Sequence, residues 1–340
     1  MKRILLHILF FLAAIACNSA AELTNQTQIE TSSAENHNPV MNGADPDVLL
    51  EKDIVWMYPT AGPQGQFYAF SSKDLVTWQR HGPILDFSSI KWIPADKHAW
   101  APGIIKKNGK YYLYYSVGPK PSHIGVASSD SPAGPFTDSG RALLSDNNDP
   151  NFEAIDAMAF TDPQSKKTYL YTGGSVGSTL RVFELNDDMV SFAREIPVQT
   201  PPSFTEGSFM HYRDGIYYLS YSHGSWNNAS YSVHYATSDT PTGPWTYRGV
   251  ILSGSQRHKG PGHHSFLYNA VMDEWYLFYH RWNNRSGLGP FRGSRKIAIE
   301  KMVYETDAQI RPFVLTDKGV GPITLGDSVK KNGDDKSNSR

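Results

Sequence analysis

Five short runs of apolar and aromatic residues punctuate the chain at 54–58, 111–116, 168–172, 217–222 and 275–280, with starts about every 50 to 60 residues. Many follow a turn such as Lys107-Asn108-Gly109-Lys110 or Arg213-Asp214-Gly215. Asn-Gly and Asp-Gly between such runs are hairpin signals, because these residues tolerate the positive φ of a tight turn. After each of the first four runs comes a second strand and a variation on one theme: SSKDLVTW at 71–78, SSDSPAGPF at 128–136, LNDDMVSF at 185–192 and TSDTPTGPW at 237–245. No long stretch carries the apolar period of an amphipathic helix. The pattern predicts an all-β chain of five antiparallel units with about four strands each.

Such a unit packs its faces on its neighbours, so five in succession predict a five-bladed β-propeller. A long β-sandwich leaves the fivefold recurrence without a cause. In a propeller the innermost strands surround a central depression, and residues at their starts converge there.

Three acids stand at the starts of such units: Asp45 in GADPDVLL, Asp156 in EAIDAMAF and Glu206 in FTEGSFMHY. Taken singly, Asp45 before Pro46 reads as an Asx turn, Asp156 as a turn cap and Glu206 as an exposed strand end. Their joint placement at matching points points to glycosidase chemistry instead. Inverting hydrolysis needs a carboxylic acid to protonate the departing oxygen and a carboxylate, about 6.5 to 9.5 Å away, to deprotonate a water. A third carboxylate beside the acid raises the acid's pKa, which is the expectation for Asp156 acting on Glu206. Asp47, Glu153 and Asp162 lie next to these segments and read as turn or loop residues. Asp74, Asp130, Asp188 and Asp239 recur inside the turns and read as structural.

The segments GADPDVLL, AWAPGIIKKNGKYYLYYS, IGVASSDSPAGPF, AIDAMAF, EGSFMHYRDGIYYLSYS, GPGHHSFLY and WYLFYHR, in this order, resemble glycoside hydrolase family 43, the five-bladed propeller arabinofuranosidases, xylosidases and arabinanases. The resemblance implies that Asp45 is the general base, with Asp47 where Ser is common. It implies that Asp156 orients and tunes, with Ala157 in place of Pro. It implies that Glu206 is the general acid, with Ser208 in place of Pro. It implies substrate contacts for Trp100 and His263. In the last unit a guanidinium, Arg281 first and Arg295 second, is expected to fork onto sugar hydroxyls, with a pairing to one of the acids or a surface or blade-closing ion pair as the alternatives. No cofactor is required. In relatives a histidine matching His263 lies near the propeller axis, sometimes with calcium. A structural calcium is left open here, and no metal ligands are assigned, because calcium wants several oxygens.

The expected partner is an oligosaccharide or polysaccharide of plant or algal type carrying arabinofuranose or xylose, with α-L-arabinofuranosidase first and β-xylosidase second. A propeller hydrolase of another sugar, such as a galactofuranoside, and a noncatalytic sugar-binding propeller stay open. Composition changes this little. A net charge of −1 gives no reason to expect nucleic acid. The 13% aromatic content suits both strands and the apolar faces of sugars.

The N-terminus adds a compartment. Met1-Lys2-Arg3 followed by an apolar run to Ile15 and small residues describes a secretory signal. The sole cysteine, Cys17, ends that run in LAAIAC, which resembles a bacterial lipoprotein signal with Ala14 replacing the usual Leu. The expected organisation is a signal peptide at 1–17, a polar tether at 18–37, the propeller at 38–327 and a polar tail at 328–340. That places the protein across the inner membrane of a bacterium, periplasmic or on the outer membrane, with membrane contact only through a lipid on Cys17.

Overall fold

The structure, a computed structural model, describes residues 36–327. The signal and lipid site at Cys17, nearly all of the tether and the polar tail lie outside the described residues. Five antiparallel sheets follow one another as blades. Their innermost strands are Ala44–Glu51, His98–Lys107, Met158–Thr161, Glu206–Arg213 and His258–Asn269. The first blade continues outward through Ile54–Thr60, Gln66–Ser72 and Gln79–Asp86, and the others repeat the plan. The fifth blade borrows its outermost strand, Met41–Asn42, from the start of the chain, pairing Met41 with Ile297. The ring is thus closed by hydrogen bonds between its two ends.

The five apolar runs read from the sequence fall in the second strands of the five blades. They read as continuous apolar stretches because each is buried on both faces. In Lys110–Gly118, Tyr111, Leu113 and Tyr115 pack toward blade one, while Tyr112 and Tyr114 pack toward blade three. Side chains of a strand alternate between faces, so one strand supplies two separate clusters. Five such clusters result, one between each pair of neighbouring blades.

Two of the four recurring turn acids, Asp74 and Asp188, are pinned to backbone. Asp74 Oδ1 accepts from the amides of Val76 and Thr77 at 2.9 and 2.7 Å, and Asp188 Oδ1 from those of Val190 and Ser191 at 2.9 and 3.0 Å. Asp162 accepts from the Gln164 and Ser165 amides in the same way. Asp47 Oδ2 accepts from the Ile104 amide at 2.7 Å, tying the inner strands of blades one and two together.

Candidate active site

Each inner strand has, within it or just before it, a left-handed residue at the matching place: Asp45, Ala101, Asp156, Gly207 and His263, with φ of 50, 40, 59, 60 and 39°. This conformation costs a residue with a Cβ about 1 to 2 kcal/mol, so something must hold it. A side chain from the second strand of the preceding blade does so at four of the five places. The Ala101 amide donates to Thr60 Oγ1, the Asp156 amide to Ser116 Oγ and the His263 amide to Ser222 Oγ, each at 2.8 Å. The Asp45 amide meets His280 Nδ1 at 3.2 Å. On blade three the equivalent Thr172 donates instead to the Ile155 carbonyl, and the Gly207 amide donates to Asp156 Oδ2 at 3.1 Å. That substitution brings the Asp156 carboxylate beside the residue preceding Gly207, which is Glu206.

Asp45, Asp156 and Glu206 therefore come together on one cavity of about 340 Å³, and all three are buried. Arg295 Nη1 lies 2.9 Å from Asp45 Oδ1, and one ring nitrogen, His280 Nδ1, stands 3.2 Å from the same oxygen. Burial alone would raise the Asp45 carboxyl, but Arg295, followed by His263 and His280, outweighs it and holds Asp45 well below the usual carboxylate range. Asp45 is an ionised carboxylate at any ordinary pH.

Asp156 is the opposite case. Burial, then the charges of Glu206, Asp45 and Glu153, push it well above the usual range, against the single amide bond from Gly207. Burial and like charge drive the Asp156 carboxyl up, with Glu206 the first of the charges that act on it. Glu206 is gripped at both oxygens. Tyr231 donates its hydroxyl to Oε1 at 2.7 Å, and Ser175 donates to Oε2. Ser175 reaches it because Gly174 carries no side chain: a Cβ there would stand 2.4 Å from Glu206 Cβ.

Trp100 and His263 also line the cavity. His263 Nδ1 lies 3.5 Å from both Asp45 Oδ1 and Asp156 Oδ2, and burial lowers its pKa against the charges of Asp45 and Glu206, so the ring is neutral near pH 7. Arg281 does not reach the cavity, which corrects the expectation for it. It is wholly buried and bonds Tyr279 and Asn283 at 3.0 and 2.9 Å, with Asp317 at 3.4 Å. Alternation along Glu274–Asn283 sends His280 to the Asp45 side and Arg281 to the other. Arg295, the second choice, fills the arginine position at the site, its guanidinium also 4.9 Å above the Trp226 ring.

Calcium does not fit here. It takes six to eight oxygens, typically about 2.3 to 2.6 Å away, whereas the carboxylates near His263 are already engaged by Arg295 and by the Gly207 amide. Among the described residues no group of three His, Cys, Asp or Glu side chains could hold a metal.

Sequence reasoning missed Ser175, Tyr231 and Trp226, and read Glu153 as a loop residue; all four touch the cavity or Glu206. The Gly173-Gly174-Ser175 run was the one available signal, since paired glycines mark a close backbone approach. An ionised carboxylate and a buried carboxyl pair facing one cavity have the makings of acid and base work on a bound molecule.

Known proteins bear on this geometry. The model of the family described as glycosyl hydrolases family 43 matches residues 36–310. The chain is 35% identical over 314 residues to the beta-D-galactofuranosidase xynD of Aspergillus niger, covering 87% of this chain and 90% of that one. It is 30% identical over 348 residues to the arabinoxylan arabinofuranohydrolase of Bacillus subtilis, covering 85% of this chain and 66% of the relative. Among solved structures, a thermostable family-43 glycoside hydrolase aligns with TM-score 0.74 at 27% identity, covering 85% of this chain and all of that one.

Proposed function

Because this chain belongs to glycosyl hydrolases family 43, we propose that it cleaves terminal furanosyl or xylosyl residues from oligo- or polysaccharides by single displacement. The protein is a glycoside hydrolase; the sugar and the residue roles are our reading. The observation that carries it is the meeting of Asp45, Asp156 and Glu206 on one cavity in two different electrostatic states.

Asp45, ionised and locked by Arg295, takes a proton from the attacking water. Glu206 gives a proton to the departing oxygen, its carboxyl oriented by Tyr231 and Ser175. Asp156 holds the Gly207 amide and, as the like-charged neighbour, keeps the buried pair from losing both protons near neutral pH. Water adds to the anomeric carbon as the glycosidic bond breaks, so configuration inverts and no cofactor takes part.

An α-L-arabinofuranoside stands first and a β-xyloside second, in keeping with the activities named for the B. subtilis relative and for a xylosidase/arabinosidase of Bacteroides ovatus. A galactofuranoside is the alternative to both, favoured by the A. niger relative. The test is a panel of nitrophenyl arabinofuranosides, xylosides and galactofuranosides with the wild type and Glu206→Gln. Loss of the acid should cost about 10² to 10⁴ in rate on oligosaccharides, and less on nitrophenyl glycosides, whose leaving group needs little protonation. Unchanged turnover in Glu206→Gln would sink the assignment.

Export with a lipid on Cys17 completes the reading. Labelled palmitate should enter the wild type and not Cys17→Ala; labelling of neither removes the anchor.

A further inference from the structure

Glu153 is a fourth carboxyl on the cavity wall, and beyond adding its charge to those that raise Asp156 it takes no part in the hydrolytic steps above. It is buried, and its contacts are few: Ser122 donates its hydroxyl to Oε1 at 3.0 Å, and the Val176 amide reaches Oε2 at 3.4 Å. No Lys, Arg or His among the described residues pairs with it. An ionised carboxylate offers about four acceptor sites, so about half of its capacity is unfilled. A buried charge in that state is costly unless another donor arrives.

Its place on the wall says which donor. Glu153 and Val176 belong to blade three and Ser122 to blade two, whereas Asp45 and Arg295 lie where blades one and five meet. Asp45, Glu153, Glu206 and Arg295 line one cavity, so a sugar whose reacting carbon stands between Asp45 and Glu206 meets Glu153 when its far end points toward blades two and three. In a furanoside that end carries an exocyclic hydroxymethyl or diol, which xylopyranose lacks. We propose that Glu153 accepts a hydrogen bond from the exocyclic hydroxyl of a bound furanoside and makes the pocket select furanosides over xylopyranosides. The inference rests on the glycosidase reading above and narrows its substrate class.

The test compares the wild type, Glu153→Gln and Glu153→Ala on nitrophenyl α-L-arabinofuranoside, β-D-galactofuranoside and β-D-xylopyranoside. In Glu153→Ala the KM for at least one furanoside rises about ten- to hundredfold while kcat changes by less than about threefold, as for a lost bond to a charged acceptor. Any effect of the lost charge on Asp156 is common to all three substrates, so the furanoside KM rises about tenfold or more relative to the xyloside KM, and Glu153→Gln, which retains an acceptor oxygen, loses less. Parallel losses on all three substrates, no change on any, or a wild type that cleaves only the xyloside overturns the inference while the hydrolase reading stands. A wild type inactive on every glycoside overturns both. Equal melting temperatures of Glu153→Gln and the wild type separate lost recognition from lost folding.

Discussion

Arg295 Nη1 stands 2.9 Å from Asp45 Oδ1, so a residue just before Lys296–Met302, the third strand of the fifth blade, fixes the charge of a residue at the start of the first. The pair also spans the seam where the ring closes. Base, seam and charge are thus one feature of the fold.

Replacing Arg295 with Met should bring out the burial that Arg295 now outweighs. The Asp45 carboxyl then rises, and the acid limb of kcat/KM moves to higher pH. Stability follows with a definite sign. Asp45 is depressed in the folded state, so its contribution is present above the ordinary carboxylate value and is lost as pH falls below it. Allowing for the partly exposed guanidinium, the variant should be less stable by about 1 to 3 kcal/mol at neutral pH, with the gap closing below about pH 4. Urea unfolding across pH reads this, and a gap that persists in acid contradicts it.

Asp156 should behave in the reverse sense. Its carboxyl is raised in the folded state, so its contribution is full below the ordinary carboxylate value and declines as pH rises toward the elevated one. Asp156→Asn keeps an oxygen for the Gly207 amide and removes the ionisation. Its melting temperature should therefore gain on the wild type as pH rises above about 4, while the basic limb of kcat/KM shifts to lower pH as the pair loses its like charge. Parallel melting curves across that range would rule the assignment out.

The limits of the sequence are visible residue by residue. Asp45 and Asp156 were legible because they occupy the same left-handed entry position on two blades, where repeat and motif agree. Glu206 sits one place earlier, and the motif found it where strict repetition would have chosen Gly207. The two arginines were not separable. Which face of Glu274–Asn283 turns to the site depends on its pairing, so nothing local corrects the preference for Arg281 over Arg295. Tyr231 and Ser175 are 25 and 31 residues from Glu206 in sequence and meet it only through loop shape, which no local pattern encodes.

Those two hydroxyls carry the last expectation. Each grips one oxygen of Glu206, and a carboxyl held at both oxygens has little rotational freedom left. Tyr231→Phe removes the donor to Oε1 with the ring's shape unchanged, and its neighbour His280, stacked at 5.6 Å and 11°, keeps the remaining ring in place. The loss should appear as a drop in kcat of about tenfold with KM little altered, because a proton donor out of line is felt at bond cleavage. Ser175→Ala should do the same from the other side. The double variant should lose less than the product of the single losses, since either change alone already frees the carboxyl to turn. Full multiplication of the two effects would mean that each hydroxyl acts on the substrate directly and that Glu206 needs neither to stay in line.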